Sequence, residues 1–201
     1  SEIWSRTLSE STIYSLGQDC EIAMITPEGL ISILDLRTGE IKYEVKGNPV
    51  ANIINLLLLK NSRQYLVFVN VKYIVKNGVN YITLASSYPI NGVIYSVDRK
   101  TGDLMWSLPV EAEGFDLSQS LDLPVLTFGI RKYKGMPSSQ GAEVDLQVVD
   151  LRNGGVVLKE TMLSNRDRIW VVPDVDQKNI LIEPFEIRLS FEEPPVAAKK
   201  P

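Results

Sequence analysis

The feature that most constrains this chain is a pattern that occurs three times: an alternating apolar stretch, an Asp, a Gly-containing turn and a second alternating stretch. Residues 91–111 read NGVIYSVDRKTGDLMWSLPVE. Residues 29–45 read GLISILDLRTGEIKYEV, and residues 143–162 read EVDLQVVDLRNGGVVLKETM. Alternation with a period of two predicts strands, and a Gly between two such strands predicts a hairpin. We therefore predict three copies of one β-hairpin.

The chemistry of a tight turn explains the repeated polar positions and glycines. An Asp at the end of the first strand accepts hydrogen bonds from backbone N–H groups of the turn, and a Thr three residues later caps it. The Gly that follows supplies a positive φ. These residues are Asp35, Thr38 and Gly39 in the first copy, Asp98, Thr101 and Gly102 in the second, and Asp150 and Gly154 in the third. We predict a structural role for all of them.

The spacing of the copies indicates a repeat architecture. The aspartates are 63 and 52 residues apart, in the range of propeller blades that carry insertions. Two apolar runs precede each copy; residues 53–59 and 65–71 precede the second, and FDLSQSL followed by PVLTFGI precedes the third. No stretch shows convincing helical periodicity. The predicted fold is all-β, a β-propeller of four-stranded blades.

We predict three whole blades, a partial blade at each end and a flexible tail. The predicted bounds are 1–7 for the first partial blade, 12–45, 51–110 and 115–162 for the whole blades, 168–191 for the last partial blade and 192–201 for the tail. The sequence EIWSR resembles the last strand of a preceding unit, and two strands are predicted for the last partial blade. Either the partial blades merge into an incomplete fourth blade, or the chain is the C-terminal portion of a larger ring completed by another polypeptide. We favour the larger ring, because a merged blade would lack its third strand.

Ser96, Asp98, Thr101, Gly102 and Trp106 resemble the tryptophan-docking repeat of quinoprotein-like β-propellers, the PQQ-type repeat. Similar repeats occur in pyrroloquinoline-quinone dehydrogenases, in propeller lipoproteins of outer-membrane assembly and in luminal sensor domains of stress kinases. The resemblance covers the three hairpins. It implies that the tryptophan stacks between neighbouring blades and buries a large apolar area there.

Departures from the repeat imply a degenerate, non-catalytic member of that family. The place of Trp106 is taken by Tyr43 in the first copy and by Leu158 in the third. A quinone enzyme of the family would need a general-base Asp, ligands for a calcium ion and usually adjacent cysteines, whereas this chain has one cysteine, Cys20. The usual setting of the family implies a periplasmic or extracellular location.

Composition narrows the possible functions further. The chain has no histidine, which removes the usual metal ligand and the usual general base near neutral pH. Its net charge of −4 and isoelectric point near 5.0 disfavour nucleic acid as a partner. Apolar runs such as residues 53–59 are far shorter than the roughly 20 residues that cross a bilayer. We predict no catalytic residue, no metal site, no cofactor and no membrane span.

Two insertions, at residues 72–89 and 131–141, are the candidates for a binding face. The second carries a small basic and aromatic cluster on an acidic protein, namely Arg131, Lys132, Tyr133 and Lys134. The preferred interpretation is a non-enzymatic propeller scaffold or protein-binding module. The alternative is a portion of a degenerate or split PQQ-type oxidoreductase, whose missing blades would supply the cofactor ligands.

Overall fold

The computed structural model describes residues 4–8, 11–17, 19–72, 80–83, 87–133, 142–164, 166, 168–174 and 178–191, with the backbone alone at 80–83 and 133. Within these residues the chain is all-β and antiparallel, which confirms the predicted fold class. No helix in the described part is long and apolar enough to cross a membrane. The predicted tail at 192–201 lies outside the described residues.

Fifteen strands are present in the described segments, and most follow the alternating apolar stretches of the sequence. They are β1 (Ile13–Leu16), β2 (Glu21–Ile25), β3 (Leu30–Asp35), β4 (Ile41–Lys46), β5 (Ile53–Lys60), β6 (Gln64–Val71), β7 (Asn80–Thr83), β8 (Ser87–Asp98), β9 (Leu104–Asp116), β10 (Val125–Tyr133), β11 (Ala142–Asp150), β12 (Val156–Ser164), β13 (Trp170–Asp174), β14 (Asn179–Glu183) and β15 (Ile187–Ser190).

The strands form three antiparallel sheets, in which most neighbours along the chain are also neighbours in space. The first sheet has the order β1-β2-β3-β4, and we name it blade 1. The second has the order β12-β11-β10-β9-β8-β6-β5, with β7 paired to β10. The third, blade 4, has the order β13-β14-β15. The described strands show the meander of propeller blades but do not close a ring.

Two long strands make the second sheet out of two blades. Blade 2 consists of β5, β6 and the hairpin halves of β8 and β9; blade 3 consists of the end of β9 with β10, β11 and β12. Between the pairs Gly92↔Val110 and Ile90↔Glu113, β9 contains one residue more than β8, a β-bulge. Ala112 lies in this bulge with a φ of 50°. The predicted blades 51–110 and 115–162 therefore meet inside one continuous strand.

Within the described residues, apolar side chains from adjacent blades form three cores. One lies between blades 1 and 2 and includes Ile31, Val45 and Val67. The next joins blades 2 and 3 through Phe68, Phe115 and Phe128, whose rings contact in sequence with centroids 5.3 and 5.6 Å apart. The last, between blades 3 and 4, includes Leu146 and Ile180. Each blade therefore depends on its neighbours to bury its apolar faces.

Several details of the sequence prediction were wrong. The described part of EIWSR, residues 4–6, does not form a strand. FDLSQSL is not a strand, since β9 ends at Asp116, whose carboxylate accepts hydrogen bonds from the Ser118 N–H and hydroxyl at 2.8 and 2.7 Å and forms a turn. Blade 4 has three strands rather than two, because a turn at residues 184–186 divides the run NILIEPFEIRLSF. This turn begins with Pro184, which has no N–H to continue the ladder.

Candidate functional site

The three repeated turns have one geometry. In the second copy the Asp98 carboxylate accepts from the N–H groups of Lys100 at 2.7 Å and Thr101 at 3.0 Å, while the Gly102 N–H donates to the Asp98 carbonyl at 2.9 Å. The carboxylates of Asp35 and Asp150 accept from the N–H groups of Arg37 and Arg152, both at 2.8 Å. Gly39, Gly102 and Gly154 have φ values of 75°, 81° and 71°.

The residue three positions after the Asp also caps each turn. Thr38 and Thr101 accept from the N–H groups of Glu40 at 3.2 Å and Asp103 at 3.3 Å. In the third copy, where Thr is absent, the Asn153 side chain accepts from the Gly155 N–H at 2.7 Å. Hydroxyl and amide oxygens thus perform the same task in the three turns.

An aromatic ring from outside each hairpin lies directly on its turn glycine. At the junction of blades 2 and 3, the Trp106 indole lies against Gly154, where a Cβ would be 2.8 Å from the ring. Its Nε1 donates to the Leu151 carbonyl at 3.0 Å. We call this arrangement an aromatic seat. In it, a ring lies on the turn glycine, and the polar atom of the same side chain donates a hydrogen bond to the carbonyl of the residue after the turn Asp.

The aromatic seat occurs twice more. Tyr43 of blade 1 lies on Gly102 of blade 2, where a Cβ would be 2.4 Å from the ring, and its hydroxyl donates to the Arg99 carbonyl. Trp4 lies on Gly39 of blade 1 in the same way, at 2.6 Å. The Trp4 Nε1 donates to the Leu36 carbonyl at 2.8 Å.

Trp4 was not predicted as a docking residue, although EIWSR was interpreted as the end of a preceding unit. Only three residues precede Trp4 in the sequence, so the strand and turn of the repeat could not be recognised before it. Leu158, at the matching place of the third copy, packs partly buried in the core between blades 3 and 4. A smaller apolar contact therefore replaces the aromatic ring there.

The turn aspartates are held as carboxylates. The Arg37 side chain is the main cause that lowers the pKa of Asp35, and the Arg152 side chain does the same for the pKa of Asp150. Backbone N–H groups of Thr101 and Lys100 lower the pKa of Asp98. A carboxylate stabilised in its charged form and occupied by turn N–H groups is a weak proton acceptor.

A charged cluster accompanies the Tyr43 seat between blades 1 and 2. The buried Glu21 carboxylate accepts from Lys42 at 2.8 Å, from Lys60 at 2.6 Å and from the Tyr65 hydroxyl at 2.7 Å. Lys60 also pairs with the exposed Asp19 at 2.7 Å. Burial acts to raise the pKa of Glu21, but the three hydrogen bonds outweigh it and the pKa is lowered. Glu21 is therefore a buried anion with its charge fully paired.

The predicted basic cluster is only partly described. Arg131 and Lys132 lie half-buried within β10 rather than on a loop, and Lys132 forms an ion pair with Asp145. Nε and Nη2 of Arg131 have no hydrogen-bond partner among the described residues. The backbone of Tyr133 pairs with Asn80, while Lys134 and most of the two insertions lie outside the described residues. The strand places Arg131 and Lys132 on opposite faces of blade 3.

At the end of the blades opposite the turns, a cavity of about 320 Å³ lies between blades 2 and 3. It is lined by Ile54, Asn55, Asn70, Val71, Pro89, Ile90, Asn91, Ala112, Glu113 and Ile130. Glu113 is only 5% exposed, and its Oε2 has no hydrogen-bond partner among the described residues. A buried carboxyl with an unsatisfied oxygen beside a cavity is a feature that the turn chemistry does not explain.

Three asparagines shape this cavity around the bulge. The Asn70 side chain donates to the Asn55 Oδ1 at 2.9 Å and to the Pro89 carbonyl at 3.0 Å, and it accepts from the Asn91 N–H at 2.9 Å. Asn91 accepts in turn from the Ala112 N–H at 3.3 Å. The amides replace ladder bonds that the bulge interrupts, and they hold the walls of the cavity in place.

The environment of Glu113 favours its neutral form. Burial is the largest cause, and the nearby Asp145 adds to it; together they raise the pKa of Glu113 to about 8 against the opposing effect of Lys159 and Lys132. Strict alternation from Val110 would have placed Glu113 on the outer face. The left-handed Ala112 shifts the alternation by one residue, so that Glu113 turns inward.

Comparison with known proteins gives fold likeness only. No family model and no curated protein matches this chain. A europium-containing methanol dehydrogenase is similar over 71% of this chain at 13% identity and a TM-score of 0.36. A eukaryotic initiation factor is similar over 88% at 13% identity and a TM-score of 0.28, and BamB from Moraxella catarrhalis over 87% at 15% identity and a TM-score of 0.22.

The chain spans only part of these proteins: 23% of the methanol dehydrogenase, 51% of the initiation factor and 74% of BamB. Identities and TM-scores this low carry no inference about what the chain binds or does. The contacts of its own residues must therefore support any assignment of function.

Proposed function

We propose that this chain is a non-enzymatic β-propeller module, a degenerate relative of the quinoprotein-like propellers, that acts as a scaffold for protein binding. In this proposal the blades described here belong to a larger ring whose other blades come from further polypeptide. Its location is periplasmic or extracellular, as the resemblance of the repeats implies. Protein partners recognise loops and cavities that the rigid blades present.

The observation that carries the proposal is the aromatic seat, which occurs three times with the same contacts. In two of the three cases it joins a blade to the next, through Tyr43 on Gly102 and Trp106 on Gly154. The seats and the apolar cores between blades bind the units in series. Such a series gives a rigid frame, and rigid frames commonly present binding loops.

The chemistry of the carboxylates in the turns and at the junction of blades 1 and 2 supports a binding role rather than a catalytic one. The repeat aspartates Asp35, Asp98 and Asp150 accept hydrogen bonds within their own turns. Asp116 likewise accepts from Ser118. Glu21 is neutralised by two lysines. These carboxylates are occupied by structural contacts, which favours the scaffold over the oxidoreductase alternative.

The test is the mass of the native particle that contains this chain. The protein, purified from its source under native conditions, is measured by native and by denaturing mass spectrometry. We expect a particle larger than the 22.5 kDa of these residues, in which the additional polypeptide carries further copies of the strand and D-x-x-T-G pattern. A folded, monomeric particle of 22.5 kDa would contradict the proposal of a larger ring.

Binding is tested separately, with the purified particle and a purified partner. We expect a partner to protect residues near the two insertions from hydrogen exchange while the amides of the turns at 35–39 and 98–102 remain unchanged. Turnover of a quinone-dependent substrate without such protection would instead favour the oxidoreductase alternative.

A further inference from the structure

We propose that the cavity between blades 2 and 3 binds an aliphatic primary ammonium group, with the Glu113 carboxylate as its counter-ion. The group is either a small free amine or a lysine side chain of a partner. The proposal does not depend on the scaffold function, because it concerns a pocket within the described blades.

The walls of the cavity fit an aliphatic chain with one charged end. Its volume of about 320 Å³ is at the small end of the range for ligand sites. Ile54, Val71, Ile90 and Ile130 supply apolar surface for methylene groups. Among its lining residues, all in the described part of the chain, Glu113 is the one that ionises.

Glu113 is the residue that would bind the charged end of the ligand. The side chain is almost fully buried, and its Oε2 lacks a donor among the described residues. A buried carboxylate gains most from a cation that donates hydrogen bonds, and an ammonium group has three donors. The amide oxygens of Asn55 and Asn70 already accept from their neighbours, so the carboxyl is the outstanding acceptor.

The charged side chains described around Glu113 do not act as its hydrogen-bonded counter-ion. Lys132 of β10 forms its ion pair with Asp145 of β11, whose other oxygen accepts from Thr161 at 2.8 Å. Lys159 of β12 acts on Glu113 through space, and its Coulomb effect is outweighed by burial and by Asp145. Within the described residues, the side chains of blade 2 that line the cavity are neutral. A ligand cation would therefore add the compensation that the described residues do not provide.

Binding is coupled to a proton. At neutral pH the free Glu113 carboxyl is mostly protonated; when the ammonium binds, the carboxyl releases its proton to the solvent and the ammonium keeps its own three. Affinity should thus rise about tenfold per pH unit below the pKa of Glu113 and level off above it, until the amine itself loses its proton near pH 10.

The experiment follows the side-chain carboxyl of Glu113 by ¹³C NMR in protein labelled at glutamate, with n-butylammonium as the probe and n-butanol as its neutral counterpart. We expect saturable binding of n-butylammonium between pH 6 and 9 with the stated pH dependence, and a lowered titration midpoint for Glu113. n-Butanol should bind at least about tenfold more weakly at pH 9, because it cannot pair with the carboxylate.

Two variants and a control sharpen the test. Glu113→Gln should weaken n-butylammonium binding at least about tenfold at pH 9, and Glu160→Gln, on the exposed strand β12, should leave it unchanged. Ile54→Trp should block the cavity without altering the carboxyl, since Ile54 is 57% exposed and lines the cavity. The proposal would be overturned if the Glu113 carboxyl resonance of the wild-type protein did not shift on addition of the amine at any pH.

A second probe, N-acetyl-lysine methylamide, distinguishes the source of the ammonium group. Binding of both probes supports a lysine side chain as ligand, and binding of n-butylammonium alone supports a small free amine. If neither probe binds, the proposal fails, while the mass measurement of the scaffold proposal is unaffected.

Discussion

Two junctions can be compared, one between blades 1 and 2 and one between blades 2 and 3. Each contains an aromatic seat, but the polar residues beside the two seats differ. At the first, Tyr43 lies on Gly102 next to the charged cluster of Glu21, Lys42 and Lys60. At the second, Trp106 lies on Gly154, and the neutral Gln64 takes the place of Glu21. The apolar contact is therefore the common element, and the polar contact is variable.

Glu21 and Gln64 occupy equivalent places, each paired across the sheet with the turn Asp of its own hairpin. Glu21 bridges to the next blade through Lys60 and Tyr65. Gln64 bridges to the next blade by donating to the Leu151 carbonyl at 3.1 Å, while it accepts from Ser96 at 2.7 Å. A buried charge needs several partners, whereas a buried amide is satisfied by two.

The largest expected effect comes from removing the ring at the neutral junction. Trp106→Ala should lower the free energy of unfolding by about 4 kcal/mol, since it empties a buried aromatic site and leaves the Leu151 carbonyl without its indole donor. Urea unfolding measures the change. Trp170→Ala is the control, because Trp170 is 43% exposed, and it should cost less than about 1 kcal/mol.

Transferring the charge to the neutral junction tests whether the cluster is needed. Gln64→Glu should destabilise the protein by about 3 kcal/mol at pH 7, because the new carboxylate faces the Leu151 carbonyl, with the Ser96 hydroxyl as its donor among the described residues. The loss should shrink as the pH falls and the new carboxyl is protonated. Equal stability of the variant at pH 4 and pH 8 would show that the junction tolerates an anion.

Removing the charge from the first junction is the reciprocal change. Glu21→Gln should cost about 2 kcal/mol at pH 7, less than breaking an isolated buried pair, because Lys42 and Lys60 keep Asp35 and Asp19 as partners. Chemical unfolding of both proteins across pH gives the comparison.

The pH dependence of that difference has a definite sign. The folded-state pKa of Glu21 is below its ordinary value of 4.5, so the unfolded chain binds the proton more tightly. The stabilisation is fully present above the ordinary value and is lost as the pH falls through the folded-state pKa. Wild type and Glu21→Gln should therefore converge in acid; a constant difference from pH 7 to acid would refute the pairing.

The smallest of these effects concerns the glycine of the seat. Gly102→Ala should cost about 1–2 kcal/mol, because φ is +81° and a Cβ would lie 2.4 Å from the Tyr43 ring. Gly155→Ala is the comparison variant, where the nearest neighbour is the Asn153 side chain that caps the same turn rather than a buried ring. Thermal or urea unfolding should show a smaller loss for it than for Gly102→Ala.

The parts predicted correctly from the sequence are local. Apolar and polar residues alternate with a period of two in the sequences of the hairpin strands. This is why the all-β class and the hairpins around Asp35, Asp98 and Asp150 were predictable. The identity of each blade's neighbour was not local, and the prediction therefore ended one blade at residue 110 and began the next at 115, although both positions lie in the continuous β9. The extra strand of blade 4 depended on how the chain turns at Pro184.

The cavity was not predictable for a related reason. Glu113 follows Glu111 in an alternating stretch, and both read as outward-facing residues. Only the left-handed backbone at Ala112 turns Glu113 inward, and an Ala carries no sequence signal for that conformation. The contacts of Glu21 with Lys60 and of Gln64 with the Leu151 carbonyl were equally hidden, because these partners lie on the neighbouring blade.

The central claim, that aromatic seats join successive blades, is tested most directly by the ¹H NMR shifts of the glycine Hα protons in the turns. Protons held under a ring are displaced upfield, so Gly39, Gly102 and Gly154 should all lie upfield of their random-coil positions. In Trp106→Phe, which keeps a ring, Gly154 should stay displaced, and in Trp106→Leu it alone should return. Random-coil shifts for these glycines in the folded wild-type protein would contradict the account.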